Sequence, residues 1–245
     1  MKLLLSFFLM ISALMGEEVY ATFDVVSQKE ANLALTASGI VKSIYVDVGS
    51  RVKKGDVLLE IDNDDLIAGA DLANESLKKA RIEEQFAKQT YERYRKVESV
   101  IDAELMDQHT LTYQKASAAL GEAKAQLRYK NTLVEKTRLR APFGGIISER
   151  NIELGDGVGA GMAPLFKLIS TGAVKLRLQF DEKYLPQVKK GSAVRYRIDG
   201  EEKWRNAAIT KLYPTVDRKN RKATAEVLVS NISPGLFGEA IIIGK

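Results

Sequence analysis

The first copy of a repeated motif reads Ser38-Gly-Ile-Val-Lys-Ser-Ile-Tyr-Val-Asp-Val-Gly-Ser-Arg-Val-Lys-Lys-Gly-Asp-Val-Leu-Leu-Glu-Ile61. The second copy reads Gly144-Gly-Ile-Ile-Ser-Glu-Arg-Asn-Ile-Glu-Leu-Gly-Asp-Gly-Val-Gly-Ala-Gly-Met-Ala-Pro-Leu-Phe-Lys-Leu168. Four positions recur at a constant offset of 106, where Gly39, Gly49, Val52 and Gly55 match Gly145, Gly155, Val158 and Gly161. An internal repeat at fixed spacing indicates one structural unit that is used twice. We therefore expect two similar β-halves that pack together, with the segment between them projecting outward as an arm.

Glycines separate the short apolar runs of both copies. Glycine adopts positive φ at no steric cost, so a glycine between two short strands marks a tight turn. We predict that six glycines of the repeat are structural turn residues: Gly39, Gly49, Gly55, Gly145, Gly155 and Gly161. A phosphate-binding loop would need a strand, a glycine-rich loop and a helix in succession, and that context is absent here.

The segment between the copies has the pattern of two long helices. Apolar residues alternate at spacings of four and three, with one break in each helix, at Glu84 and at Lys130, and this spacing is typical of a heptad seam. The seam positions are Leu66, Ala70, Ala73, Leu77, Ala80, Ala87, Tyr91 and Tyr94 in the first helix, and Met106, His109, Tyr113, Ala116, Leu120, Ala123, Leu127 and Val134 in the second. Helix N-caps are available in Asp62–Asp65 and at Asp102. The alanine-rich seam predicts a thin antiparallel hairpin, with helices of about 33 residues and ~50 Å each.

The aromatic side chains of the seam could pack the helices or serve a function. We expect Tyr91 and Tyr94 to pack the hairpin rather than to bind a ligand. His109 is the single histidine of the chain, and we expect it to be packed and partly buried, with a pH-sensitive role as the alternative.

The remaining segments complete a predicted α+β, elongated, multi-domain architecture. Pro142 ends the second helix, and short strands separated by turn residues after residue 171 predict a small antiparallel β-barrel or sandwich. These include strands over 174–180, 193–198, 207–213, 223–229 and 239–243, and a short helix over 181–188. The predicted domains are a signal peptide over 1–16, whose cleavage could extend to 21, N-terminal strands joining the barrel over 17–37, a first β-half over 38–62, the inserted α-helical hairpin over 63–138, a second β-half over 139–170 and the β-barrel over 171–245. The two β-halves resemble the two parts of a lipoyl/biotinyl-type domain.

Composition excludes several classes of protein. The apolar run Leu3–Met15 after Lys2 is short for a membrane span and typical of a secretory signal, with an uncleaved anchor as the alternative. The chain has no cysteine and one histidine, which argues against thiolate catalysis, disulfides and a Cys- or His-rich metal site. The net charge of +5 is mild and looks spread along the chain, so nucleic acid is a poor partner. No acid/base pair or nucleophile stands out; we predict no enzyme activity, no catalytic residues and no cofactor.

The order of these motifs resembles the membrane fusion proteins, or periplasmic adaptors, of bacterial tripartite efflux pumps of the resistance-nodulation-division (RND) type. The segment Arg138-Leu-Arg-Ala-Pro-Phe-Gly-Gly-Ile-Ile147 resembles the family's hairpin exit, and Tyr91-Glu-Arg-Tyr-Arg-Lys-Val97 its approach to the hairpin tip. Asp181-Glu-Lys-Tyr-Leu185 and the run from Val216 to Gly235 resemble its barrel domain. The resemblance extends over nearly everything after residue 38.

The resemblance implies a contact site at the hairpin tip. In adaptors of this type the tip carries Arg, then Leu four residues later, and Ser on the far side. Here Arg93 matches, Val97 replaces the Leu and Asp102 stands near the position of the Ser. We predict that Arg93, Val97, Ile101 and Asp102 contact an outer-membrane channel, whereas the alternative is that they only close and cap the tip.

The barrel end of the chain differs from many family members. Those continue into a membrane-proximal domain, for which this sequence leaves no room after Lys245, so contact with the transporter is expected from the barrel and lipoyl-like parts. The run Asp217–Lys222 is most simply a solvated turn. The alternative is a transporter- or lipid-facing role for Arg218 and Arg221.

The implied mechanism involves no chemistry. The adaptor would sit in the periplasm of a Gram-negative bacterium, associated with the inner membrane, and form a hexameric ring between an inner-membrane transporter and an outer-membrane channel. Individually weak tip contacts would add up through the ring. An adaptor for an ABC-type exporter, of the type I secretion or macrolide kind, is the alternative. A swinging-arm carrier is a third class, but the lysine-bearing turn of such carriers is replaced here by about 80 helical residues.

Overall fold

The computed structural model describes residues 18–244; the predicted signal peptide over 1–16 lies outside this range. Over the described residues, no helix is both long enough and apolar enough to cross a membrane. The elements are β1 (Glu18–Ser27), β2 (Glu30–Leu33), β3 (Gly39–Ile44), β4 (Arg51–Val52), β5 (Val57–Ile61), α1 (Asp64–Arg95), α2 (Ala103–Lys136), β6 (Arg138–Arg140), β7 (Gly145–Arg150), β8 (Gly157–Val158), β9 (Phe166–Ile169), β10 (Ala173–Asp181), β11 (Ala193–Ile198), β12 (Arg205–Ala208), β13 (Lys211–Asp217), β14 (Lys222–Ser230) and β15 (Phe237–Ile243). Two 3-10 helices span Glu98–Val100 and Glu182–Tyr184.

The described chain divides into two compact units. One unit, here called the sheet unit, contains residues 18–31, 143–148 and 168–244. The other, the helical unit, contains residues 32–142 and 149–167. Each unit has its own buried apolar core.

The sheet unit is built on seven antiparallel strands in the order β12-β11-β15-β1-β10-β14-β13. Strand β1 alternates exposed and buried residues, as a strand with one solvated face should, and its inward side chains include Val19 and Phe23. Residues Leu178 and Phe180 of β10 are buried in the same core. The strand next to the apolar leader in sequence therefore lies in the middle of this sheet.

Two sequence predictions for the sheet unit are wrong. The predicted strand over 207–213 is broken after Ala208, because the backbone of Ile209 bonds to Gly191 and Ser192 and its side chain enters the core. The predicted helix over 181–188 shortens to the 3-10 turn Glu182–Tyr184. Pro186 has no N–H to donate, so the helical hydrogen bonds are interrupted there although Leu185 keeps helical backbone.

The strands of the helical unit include the antiparallel sheet β6-β5-β3-β8. In this sheet Val41 of β3 pairs with Ile61 of β5, and Gly39 pairs with Val158 of the second repeat copy. Residues Leu58 and Leu59 are fully buried. The two copies of the repeat thus share hydrogen bonds within one unit.

Helices α1 and α2 have 32 and 34 residues, so each is about 50 Å long. Every predicted seam position is buried or half-buried, and so are the two breaks in the pattern, Glu84 and Lys130. The helices run antiparallel, since Tyr91 stacks on Tyr113 near one end and Gly69 lies beside Lys130 near the other. We call α1, α2 and the residues that join them the helix pair.

The caps of the two helices differ. The side chain of Asp102 accepts a hydrogen bond from the Glu104 N–H at 2.8 Å, which confirms it as the N-cap of α2. At the start of α1 the N-cap position is Asn63, and its side chain makes no capping bond. Within Asp62–Asp65 the side chain of Asp62 accepts the Asp64 N–H at 3.5 Å, whereas the amide of Asn63 turns inward and donates to Thr137 Oγ1 at 2.8 Å.

The repeat glycines serve two purposes. Four of them adopt φ between +83° and +94°, as tight turns require: Gly49, Gly55, Gly155 and Gly161. The prediction that Gly39 and Gly145 are turn residues is wrong, because both begin strands and neither has positive φ. They are needed for close packing instead: a Cβ on Gly39 would lie 3.0 Å from Ile61 Cδ1, and one on Gly145 would lie 2.1 Å from the Ile169 carbonyl oxygen.

Candidate partner-binding site

The turn of the helix pair brings the four predicted contact residues into one short stretch. Helix α1 ends at Arg95, a 3-10 helix covers Glu98–Val100, and α2 begins after Asp102. Arg93 and Val97 are exposed, whereas Ile101 is half-buried. Arg93 Nη2 donates to Thr90 Oγ1 at 3.2 Å, which leaves its remaining guanidinium N–H groups at the surface. This stretch, residues 93–102, is here called the tip.

Sequence reasoning missed the most exposed apolar residue of the tip. Val100 is 81% exposed, because the 3-10 turn points it away from both helices. The available signal was its position beside Ile101, off the heptad seam. Exposed apolar side chains at the end of a long helix pair are typical of a contact surface.

Toward the tip end of the helix pair, aromatic rings of α1 stack on aromatic rings of α2. Tyr94 stacks on His109 with centroids 4.0 Å apart, and Tyr91 stacks on Tyr113 at 5.4 Å. His109 Nε2 is buried and has no hydrogen-bond partner among the described residues. These contacts agree with the prediction that Tyr91, Tyr94 and His109 pack the hairpin.

A groove runs along the helix pair beside these rings. It is lined by Phe86, Thr90, Val97 and His109, and Phe86 is 69% exposed. Sequence reasoning missed Phe86 because it lies off the seam. Over residues 18–244, no three His, Asp or Glu side chains come close enough together to hold a metal ion.

The base of the helix pair is fixed by a polar network around Glu60. Its carboxylate accepts hydrogen bonds from Asn63 Nδ2 at 2.8 Å, Arg138 Nε at 3.0 Å and Tyr45 Oη at 3.1 Å. Burial disfavours the charged form, but these hydrogen bonds and the charge of Arg138 outweigh it, so the pKa of Glu60 is lowered. Thr137 Oγ1 accepts from Asn63, which ties the end of α2 to the start of α1.

A single arginine joins equivalent turns of the two repeat copies. Asp47 and Glu153 correspond at the offset of 106, and Arg150 contacts both, with Nε 3.0 Å from Asp47 Oδ1 and Nη1 3.0 Å from Glu153 Oε2. The backbone N–H of Val48 and the guanidinium of Arg150 donate to Asp47 and lower the pKa of its carboxyl. The two turns are also built alike, since Ser50 Oγ accepts the Asp47 N–H and Asp156 Oδ2 accepts the Glu153 N–H.

The family of the chain follows from a profile match that includes the repeat and the inserted helix pair. A profile described as CzcB-like, barrel-sandwich hybrid domain matches residues 29–168, which include both repeat copies and both helices. The chain belongs to this family. The resemblance to membrane fusion proteins that the sequence motifs indicate is thereby confirmed.

Known CzcB-like relatives are longer than this chain. The cobalt-zinc-cadmium resistance protein CzcB of Cupriavidus metallidurans is 28% identical over 231 residues, which is 88% of this chain and 43% of that protein. The nickel and cobalt resistance protein CnrB of the same organism is also 28% identical, over 96% of this chain and 58% of its own length. The chain thus spans about half the length of these relatives.

A solved structure has the same fold. MacA from Actinobacillus actinomycetemcomitans superposes with a TM-score of 0.72 at 20% identity, over 94% of this chain and 79% of that one. At this identity the likeness establishes the fold alone.

Proposed function

We propose that this CzcB-like chain is a periplasmic adaptor subunit that links an inner-membrane efflux transporter of the RND type to an outer-membrane channel. The observation that carries the proposal is the family match over residues 29–168, which includes the repeat and the helix pair. The curated relatives with resistance names add the direction of transport, because such proteins protect cells by export.

The proposed division of labour follows the predicted domains. The helix pair, within residues 63–138, is the α-helical hairpin that reaches toward the channel, and the lipoyl-like halves over 38–62 and 139–170 hold its base. The network around Glu60 supports this assignment, since it fastens both helix ends to β5. The barrel over 171–245 faces the transporter, and copies of the chain assemble side by side as a hexameric ring.

The tip is the proposed channel contact. Arg93 supplies a cation, Val97 and Val100 supply exposed apolar surface, and Asp102 supplies an anion that also caps α2. One tip offers little area, but several tips held in a ring act together and raise the effective concentration at the channel.

We further propose that the cargo is a divalent transition-metal cation rather than an organic drug. The support comes from the names of the relatives CzcB and CnrB, which refer to resistance to cobalt, zinc, cadmium and nickel. The family resemblance by itself implies only small toxic compounds, so this proposal names a narrower class of cargo. The same relatives favour the RND transporter over the ABC-type alternative, and no enzymatic role is proposed.

Site-specific photo-crosslinking in whole cells tests the adaptor assignment. A photo-crosslinking amino acid is placed at Val97 in one strain and, as a control, at the exposed Lys53 of the helical unit in another. We expect Val97 to capture an outer-membrane channel that Lys53 does not capture. If neither position captures a membrane protein although the protein is exported and folded, the adaptor assignment is wrong.

A further inference from the structure

The turn between β13 and β14 concentrates positive charge at the surface of the sheet unit. Four of its five residues from 218 to 222 are cationic: Arg218, Lys219, Arg221 and Lys222. The first three are exposed and Lys222 is half-buried. In the described part of the chain, none of the four side chains forms an ion pair. We call residues 218–222 the basic turn.

The backbone of the basic turn is fixed by hydrogen bonds. Asp217 accepts twice, its side chain from the Lys219 N–H and its carbonyl from the Arg221 N–H, both at 2.8 Å. Arg221 adopts φ of 55°, and its carbonyl accepts from the Glu182 N–H at 3.1 Å. Since none of the four side chains has an ion pair within residues 18–244, they stay available to an external anion.

The part of the chain that contains the basic turn carries a net positive charge. Residues 171–245 contain 15 Lys and Arg and eight Asp and Glu, a net +7, whereas residues 1–170 contain 22 and 24, a net −2. The prediction that the charge is spread along the chain is therefore wrong. Lys183 also lies here, with Nζ 4.7 Å from the centroid of the Tyr184 ring, while Asp181, Glu182, Asp217 and the first residue of β1, Glu18, are acidic groups of this end.

The basic turn lies at the end of the sheet where β1 begins. Thr22 of β1 pairs with Gln179, and two residues further along β10 Asp181 pairs with Lys222. The turn that precedes β14 therefore lies at the same end of the sheet as the start of β1, with β10 between the two strands. Tyr20, near the start of β1, is 60% exposed.

We propose that the basic turn binds the anionic headgroups of a lipid bilayer. Clusters of exposed Lys and Arg are the pattern that anionic lipid surfaces attract. Residues 218–222 contain no apolar or aromatic side chain, so the turn offers charge without a surface that packs into an apolar pocket. The proposal does not depend on the adaptor function, since it concerns only the sheet unit and a lipid surface.

Vesicle co-sedimentation tests the proposal with the full protein as it accumulates in the cell envelope. The probes are vesicles of phosphatidylethanolamine with phosphatidylglycerol, and vesicles of phosphatidylcholine alone. Any insertion of a retained apolar leader occurs with both, so the difference between them reports on charge. We expect stronger binding to the anionic vesicles, and we expect added salt to weaken it because exposed charges are screened.

The deciding comparison uses two matched double variants. Arg218→Gln with Arg221→Gln removes two charges from the basic turn while it keeps long polar side chains, and Lys53→Gln with Lys54→Gln removes two exposed charges from the helical unit. Since one cation near an anionic surface strengthens binding about fivefold, the first variant should bind anionic vesicles about 25-fold more weakly. The second should bind like the parent protein.

Three results would overturn the proposal. The parent protein could show no preference for anionic vesicles, the basic-turn variant could bind as well as the parent, or both variants could weaken equally, which would reflect net charge alone. A thermal melt followed by circular dichroism verifies that both variants fold. If the parent ignores vesicles but a crosslinker at Arg218 captures a transporter, the turn is a protein contact.

Discussion

Tyr94 and His109 stack across the two helices with ring centroids 4.0 Å apart and ring planes 26° from parallel. The stack places the single histidine of the chain between the two helices, about two turns along α2 from Asp102, with a buried Nε2 that has no hydrogen-bond partner among the described residues. The His109 ring stabilises the helix pair by packing and destabilises it through the unsatisfied Nε2. Substitutions at position 109 can separate these two contributions to the free energy of unfolding.

Phenylalanine at position 109 should stabilise the helix pair. The substitution keeps a ring beside Tyr94 and removes the unsatisfied nitrogen, whose burial costs about 1–3 kcal/mol. We expect His109→Phe to raise the free energy of unfolding in urea by about 1 kcal/mol, followed by helix circular dichroism. His109→Ala is the matched control and should lower it by about 2 kcal/mol, through the lost stack and the cavity. A destabilised phenylalanine variant would contradict this account of the stack.

Acid should weaken the base of the helix pair through Glu60. The pKa of this carboxyl in the folded protein lies below its ordinary value of 4.5, because hydrogen bonds and Arg138 favour the charged form despite burial. A depressed folded pKa contributes stability above the unfolded pKa, and that stability is lost as the pH falls below it. We expect the Glu60→Gln variant to be about 1 kcal/mol less stable at neutral pH, and to lose less stability than the parent below pH 4.5.

The measurement is urea unfolding of the Glu60→Gln variant and the parent protein across the acid range. Asp64→Asn serves as the control, since its carboxylate is exposed and pairs only with the exposed Lys42. Parallel pH curves for the parent and Glu60→Gln would show that Glu60 does not contribute through its charge.

Alanine at Gly145 should be far more damaging than alanine at Gly157. A Cβ on Gly145 would lie 2.1 Å from the Ile169 carbonyl oxygen, so the backbone of the paired strand must move. At Gly157 the nearest atom to a Cβ is Ile40 Cδ1, at 3.9 Å, which is ordinary contact. We expect Gly145→Ala to cost about 3 kcal/mol and Gly157→Ala to cost less than about 1 kcal/mol in thermal or chemical unfolding. Equal effects would mean that close packing is not the reason for Gly145.

A charge at Val100 should uncouple the tip from its proposed channel. Val100→Asp places a carboxylate on the most exposed apolar side chain of the tip and leaves the seam intact. We expect about tenfold or greater loss of channel captured in pull-down and of metal resistance in cells. Leu111→Asp, on an exposed position of α2 outside the tip, is the control and should retain both. Full resistance with Val100→Asp would remove Val100 from the contact site.

The mature protein should begin at Glu17. Cleavage after Ala21 would delete Val19 and Ala21, which are buried in the core of the seven-stranded sheet, and would remove the pairing of Glu18 with Ile243. Intact-mass measurement of the protein purified from the periplasm gives the answer directly. A mass that corresponds to a start at Thr22 would show that the sheet tolerates the loss of half of β1.

The helix pair was the part of the fold most open to prediction from sequence. A heptad pattern needs only local information, and its positions, including Glu84 and Lys130, are buried or half-buried in the structure. The repeat was equally accessible, because the spacing of its glycines and apolar residues survives in both copies. The cap at Asp102 followed from residue type alone.

The misplaced details depend on tertiary neighbours that a sequence pattern does not contain. Asn63 has the residue type of a cap, yet Thr137 competes for its amide across 74 positions. Gly39 and Gly145 look like turn glycines, but their lack of a Cβ serves packing against Ile61 and Ile169. At the tip, the choice between Val100 and Ile101 as the exposed residue depended on a 3-10 turn.

The unequal distribution of arginine between the two repeat copies guards against mispairing. The position equivalent to Arg150 in the first copy is Ile44, so one guanidinium serves Asp47 and Glu153 together. Two first copies from neighbouring chains would bring two Asp47 carboxylates together without Arg150, and two second copies would leave each Arg150 with its own Glu153 and without Asp47. Only the pairing of unlike copies gives Arg150 both carboxylates, so the internal duplication disfavours the pairing of like copies when many chains gather at one place.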